Sequence, residues 1–161
     1  MVARRRCEIR VDSACRRVIE GCAEPRDEER GTWITPAMVD AYSELHRRGY
    51  AHSVEAWQGD ALVGGLYGVA IGRMFFGESM FTRAPNASKV ALVHLIDLLD
   101  RRAMPMIDCQ QETDHLARFG ARPIPRSEFA ERLARLVNST QPAAPWNQAP
   151  PGESIARDQA Q

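Results

Sequence analysis

The spacing of hydrophobic positions changes several times along this chain, and each change predicts an element. Near the front, Ala14, Val18 and Cys22 recur every fourth residue, with Asp12 or Ser13 placed to cap and Gly21 placed to stop. That pattern predicts a short helix from Val11 to Glu20, followed by an acidic, proline-containing loop from Glu24 to Arg30. Thr35-Pro36 is a strong helix start, because a threonine hydroxyl caps well and proline suits the first helical position. Val39, Tyr42 and His46 share a face beside Leu45, and Gly49 marks the stop.

From Ala51 the pattern becomes that of strands. Ala51 to Gln58, Ala61 to Gly72 and Met74 to Phe81 are β-rich, and Gln58-Gly59-Asp60 has hairpin chemistry. The second run is apolar throughout, as a strand covered on both faces should be. Helical spacing returns from Asn86 to Arg101 through Val90, Val93, Ile96 and Leu99, and a short apolar strand follows from Met104 to Gln110. A helix from Glu112 to Phe119 stopped by Gly120, a strand near Arg122 to Ile124, and a helix from Pro125 to Val137 complete the series. The predicted fold class is α/β (α+β), a mixed sheet with helices on its faces. From Ser139 onward the sequence turns to Pro, Ala and Gln, a composition that does not repay ordering, so 139–161 reads as a disordered tail with Trp146 the one residue suited to dock.

Charge and composition narrow the function classes. In 161 residues, 21 Lys and Arg balance 21 Asp and Glu, so an anionic partner must be met by a local patch. The longest uncharged stretches, such as Ala61 to Gly72, fall short of the ~20 residues that span a bilayer. The start carries Arg4-Arg5-Arg6, but Glu8, Arg10 and Asp12 stand where a secretory leader needs its apolar run, which predicts a cytoplasmic location. Cys7, Cys15, Cys22 and Cys109 include no C-x-x-C pair, and the four histidines lack helical metal-site spacing. Metal and covalent-nucleophile chemistry are not expected.

Three places carry candidate chemistry. Strand alternation puts Asp108 and Gln110 on one side, with Ile107 and Cys109 opposite, which makes either a polar site at the end of a buried strand or a brace for neighbouring backbone. Glu78 interrupts the apolar strand Met74 to Phe81 and requires a partner or water, because an unpaired buried carboxylate is costly. The segment Thr82 to Lys89 presents backbone N–H groups at a helix start beside Arg83 and Lys89, which suits a phosphate, although capping by Asn86 or Ser88 explains the same letters. Arg4-Arg5-Arg6 is a further phosphate patch or a solvated terminus.

A meander followed by a long helix resembles the acetyltransferase fold. The loop Arg83 to Ser88 lacks the paired glycines that let a coenzyme A pyrophosphate approach, so acetyl-CoA chemistry is not expected. The longer motifs are more specific: Gly31-Thr32-Trp33-Ile34-Thr35, Gly49-Tyr50-Ala51-His52-Ser53-Val54-Glu55, Leu62-Val63-Gly64-Gly65-Leu66-Tyr67-Gly68-Val69, Gly77-Glu78-Ser79-Met80-Phe81, Asn86-Ala87-Ser88-Lys89 and Ile107-Asp108-Cys109-Gln110. In this order they resemble the leucyl/phenylalanyl-tRNA protein transferase family from about Val18 to Leu136.

The resemblance implies an acetyltransferase-like (GNAT-like) catalytic domain over 31–138, an N-terminal remnant and linker helix over 1–30, and a tail over 139–161. It implies transfer of leucine or phenylalanine from aminoacyl-tRNA to proteins beginning with Arg or Lys, marking them for degradation, by a cytoplasmic monomer without a cofactor. Asp108 and Gln110 are then the relay or positioning pair at the attacking amine, and Glu78 holds the acceptor or the reacting ends. Trp33, Tyr42, Leu66, Phe75 and Ser88 are implied in substrate binding, and Arg4, Arg5, Arg6, Arg83 and Lys89 in tRNA contact. Leu66 stands where the family usually has methionine. Family members also carry a separate N-terminal domain, and this chain begins near the end of it. A truncated pseudoenzyme, or a module that binds protein N-termini on the same fold, is the alternative.

Overall fold

The computed structural model describes residues 7–25, 31–140 and 145–147. Its elements run β1 (Glu8–Val11), α1 (Cys15–Ala23), α2 (Pro36–Arg47), β2 (Ala51–Gln58), β3 (Ala61–Ile71), β4 (Met74–Thr82), α3 (Ala87–Arg101), β5 (Met106–Asp108), α4 (Asp114–Ala117) and α5 (Arg126–Val137). The five strands form one sheet in chain order. The first three pairings are antiparallel, and β4 pairs with β5 in parallel. A parallel neighbour needs a crossover, and α3 supplies it. The mixed sheet with flanking helices is the architecture expected from the sequence.

Alternation along the strands divides the core into two layers. Val54, Leu66, Ala70 and Phe75 face α3 and pack with Ala91, Leu92, Leu95, Leu98 and Leu99. Trp57, Leu62, Tyr67 and Phe81 face the other way and pack with Cys15, Val18, Ile19 and Cys22 of α1 and Val39 of α2. The helix start at Thr35-Pro36 forms as read, with the Thr35 hydroxyl accepting from the Met38 N–H at 3.3 Å. Gly49 follows the helix end at φ +81°, in the left-handed region glycine occupies without strain.

The front of the chain departs from expectation. Residues 8–11 are an edge strand, and α1 begins only at Cys15, after Ala14, with no side-chain cap. Asp12 and Ser13 are engaged elsewhere: Asp12 Oδ1 accepts from the Ser53 N–H at 2.9 Å, and the Ser13 hydroxyl donates to Glu55 Oε2 at 2.6 Å. Glu55 is fully buried and also accepts from the Ser53 hydroxyl and the Ser13 and Ala14 N–H groups, while burial pushes its carboxyl above the ordinary range. The network ties β1, α1 and β2 together, satisfying a charge that would otherwise be costly inside the protein. Gly21 does not end α1 either. It lies inside the helix, where a Cβ would fall 2.9 Å from the Phe81 ring, so it permits close helix–sheet contact.

Toward the other end, β5 is three residues long and α4 four, and no strand forms at 122–124. Trp146 is buried against the α3 side of the sheet, as suits the one residue of that stretch expected to dock. An indole has enough apolar surface to dock where its Pro, Ala and Gln neighbours offer little. Most of 139–161 lies outside the described residues, as do Arg4, Arg5 and Arg6.

Candidate active site

The site forms where two strands part. Pairing between β4 and β5 covers only Met74 with Met106, Phe75 with Ile107 and Phe76 with Asp108. Directly beyond, β4 bulges: Gly77 faces Gly68 and Ser79 faces Tyr67, so Glu78 has no cross-strand partner. A cleft of about 1030 Å³ opens between the bulged part of β4 and the segment after β5. Its apolar wall comprises Leu66, Phe75, Met80, Leu92 and Leu95, and its polar side includes Glu78, Ser79, Gln110 and Gln111.

The extra residue in β4 decides what faces the wall. Phe75 pairs with Ala70 and Met80 with Leu66, so both lie on the α3 side of the sheet. Five residues apart in a regular strand, they would lie on opposite sides. The bulge also leaves Glu78 free to meet α2, where the Tyr42 hydroxyl donates to its Oε2 at 2.9 Å. This is the partner that the position of Glu78 required. Burial, and then the bond to Glu78, push the Tyr42 phenol up to about 12, so it remains a donor at neutral pH. Tyr42 also meets Tyr67 edge-on, with centroids 5.1 Å apart. The Tyr67 hydroxyl is buried with no hydrogen-bond partner among the described residues, and burial raises its pKa as well.

After β5 the chain turns sharply. Gln110 adopts φ +61°, its N–H donates to Asp108 Oδ1 at 2.8 Å, and the Gln111 N–H donates to the Cys109 carbonyl at 2.6 Å. A carbonyl bonded to the N–H two residues on, around a residue of positive φ, is the pattern of a γ-turn. Simple alternation therefore ends at Asp108, correcting the expectation that Asp108 and Gln110 project together. Gln110 lines the cleft, whereas Asp108 braces the turn that presents it. Cys109 also lines the cleft, and burial, then the Asp108 charge, raise its thiol pKa.

The other candidates sort by position. Leu66 and Phe75 are buried in the wall, Ser88 lines the cleft from the first turn of α3, and Trp33 stands half-exposed at its margin. Arg83 also lines the cleft, but its guanidinium pairs with Glu24, donates to the Leu62 carbonyl at 3.1 Å and lies over the Phe81 ring. Lys89 is exposed and does not line the cleft. Among the described residues, no group of His, Cys, Asp or Glu is arranged to hold a metal ion, and no helix is long and apolar enough to cross a membrane. Tyr67, Met80 and His115 line the cleft without having been singled out as site residues. For Tyr67 a signal was present, its place beside Leu66 in an apolar strand. For Met80 the only hint was Gly77, a residue that favours bulges.

Chemically, the cleft suits a ligand with an apolar side chain against one wall and a polar reacting end at the other. Residues 1–134 match the family described as leucyl/phenylalanyl-tRNA protein transferase. The chain is 58% identical over 139 residues to a protein of that name from Thiobacillus denitrificans, covering 86% of this chain and 61% of the relative. It is 54% identical over 141 residues to that of Bordetella bronchiseptica (88% and 55%), and 56% identical over 139 residues to that of Nitrosospira multiformis (86% and 60%). The chain thus spans about three fifths of the length of these curated relatives.

Proposed function

Because the chain belongs to the leucyl/phenylalanyl-tRNA protein transferase family, we propose that its cleft is where leucine or phenylalanine passes from aminoacyl-tRNA to an acceptor protein beginning with Arg or Lys, marking it for degradation. The observation that carries this reading is the division of the cleft into an apolar wall of Leu66, Phe75, Met80, Leu92 and Leu95 and a polar side bearing Glu78 and Gln110. The wall receives the aminoacyl side chain. The half-exposed indole of Trp33 offers a face on which the terminal adenine stacks. Ser88 supports the substrate from the helix start, and Lys89, with Arg4, Arg5 and Arg6, supplies local positive charge for the tRNA. Arg83 joins them by exchanging Glu24 for a phosphate.

The aminoacyl ester is already activated, so the step needs placement and a route for one proton. The neutral α-amine of the acceptor attacks the ester carbonyl and the peptide C–N bond forms. The ester C–O bond breaks, and the proton lost by nitrogen reaches the departing ribose oxygen. A neutral amide is a very weak base, so Gln110 acts by orientation, held in place by the Asp108 brace. Glu78, itself held by Tyr42, offers a carboxylate to the cationic acceptor end. In this reading the described residues 7–25 and 31–138 act together as one acetyltransferase-like catalytic domain, since β1 and α1 share its sheet and core, and the protein is a cytoplasmic monomer. The meander, crossover helix and parted parallel strands support the fold comparison.

The test is transfer of labelled leucine or phenylalanine from charged tRNA to a peptide beginning with arginine. Asp108→Ala and Gln110→Ala should each lower the rate at least about tenfold by loosening the orientation of the reacting ends. Unchanged transfer in both refutes the site assignment. A chain that binds aminoacyl-adenosine but transfers nothing is a binding module instead.

A further inference from the structure

The apolar wall of the cleft has a second layer that the transfer chemistry leaves unassigned. Phe75 is fully buried; it lines the cleft and also lies against Trp146, at a centroid separation of 5.8 Å. Trp146 is itself clamped. Its indole stacks on His52 at 3.8 Å with planes 8° apart, and the Arg102 guanidinium lies 4.8 Å from the ring centroid. His52 is fixed at both ring nitrogens, facing Asp12 Oδ2 at 2.8 Å and the Gly49 carbonyl at 3.1 Å. The anchor is therefore rigid, built from the end of β1, the start of β2 and the end of α3.

Phe75 belongs to the core layer that includes Leu66, Ala70, Leu92, Leu95 and Trp146. It lies across β3 at Gly68, where a Cβ would fall 2.5 Å from its Cε1. Glycine at this position admits the ring close against the β3 backbone, where a side chain would exclude it. The Trp146 indole is the neighbour through which the His52 and Arg102 clamp reaches the Phe75 ring.

We propose that Trp146 is a positioning residue for the cleft: through its clamp on His52 and Arg102 it fixes Phe75, and so sets the shape of the wall that accepts the apolar side chain of the substrate. The proposal rests on the transferase reading for the identity of that side chain, and on the Trp146–Phe75 contact for the mechanism. It gives Trp146 a part in substrate selection from behind the cleft.

Two measurements on the 161-residue chain separate these layers. In protein labelled with fluorophenylalanine, the Phe75 signal, assigned by its loss in Phe75→Leu, should shift or broaden in Trp146→Ala and return toward its original position in Trp146→Phe. In parallel, binding of a non-hydrolysable 3′-amide of phenylalanyl-adenosine should weaken about tenfold in Trp146→Ala and recover in Trp146→Phe, while binding of adenosine alone is unchanged. Trp146→Leu keeps the test open if the alanine variant does not fold. A folded variant with an unmoved Phe75 signal overturns the proposal, as does a moved signal with unchanged affinity for the amide. A wild-type chain that binds no amide overturns the transferase reading, and the fluorine spectrum then still decides whether Trp146 holds Phe75.

Discussion

Gly68 and Gly77 face each other across β3 and β4, yet adding one methyl group to each should have opposite effects. At Gly68 a Cβ would lie 2.3 Å from the Phe76 carbonyl oxygen and 2.5 and 2.6 Å from the Phe75 ring. Ordinary contact begins near 3.4 Å, so the β4 backbone or the ring must retreat by about 1 Å, and Trp146 stands behind the ring. Overpacking of this kind costs about 3 kcal/mol at the upper end of its usual range. The smaller conformational freedom of the unfolded alanine chain offsets roughly 0.5–1 kcal/mol of that. Gly68→Ala should therefore lose about 2 kcal/mol, and for a chain of this size the melting temperature should fall by roughly 4–8 °C. At Gly77 the nearest atom to a Cβ is the Asp108 carbonyl oxygen at 3.4 Å, so Gly77→Ala should be neutral or gain up to about 1 kcal/mol. Urea unfolding followed by circular dichroism, with a common m-value, measures both. The reasoning is refuted if Gly68→Ala is as stable as wild type, or if Gly77→Ala falls as far.

Tyr67→Phe removes a buried hydroxyl that has no partner among the described residues and should raise stability by about 1 kcal/mol. A loss of similar size in the same urea titration shows instead that the hydroxyl is satisfied, for example by bound water. The raised phenol pKa of Tyr42 predicts alkaline sensitivity. Folding favours the neutral phenol, so its contribution is complete below the ordinary value of 10.0 and is lost as pH rises from there through about 12. The urea midpoint should fall as pH rises from about 10 to about 12, less steeply in Tyr42→Phe. An equal fall in both proteins removes Tyr42 as a cause.

The central elements were legible because their signals are local. Thr35-Pro36 and the hairpin at Gly59-Asp60 each act within a few residues. The helix at 87–101 also forms as expected, but Val93 and Ile96 of the repeat that marked it are exposed, and the face it buries is that of Ala91, Leu92, Leu95, Leu98 and Leu99. The front was misread because Asp12 and Ser13, good caps in isolation, are taken by Ser53 and Glu55 more than 40 residues away. Gly21 reads locally as a helix stop, but its role is set by the ring of Phe81. The cleft was legible as a group of residues and not as a geometry. Glu78 visibly needed a partner, while the bulge that turns it toward Tyr42 depends on how β3 and β4 register. The division of roles between Asp108 and Gln110 rests on one backbone angle, which alternation does not foresee.

That angle bears on how this sequence came to be chosen. Holding a glutamine at φ +61° costs about 1–3 kcal/mol, and a glycine would occupy the same conformation with little strain. A sequence optimised for folding alone would therefore prefer glycine at 110. The fold carries a destabilising residue at the mouth of its cleft, and part of the stability supplied by the two core layers serves to keep one amide pointing where a relaxed backbone would not put it.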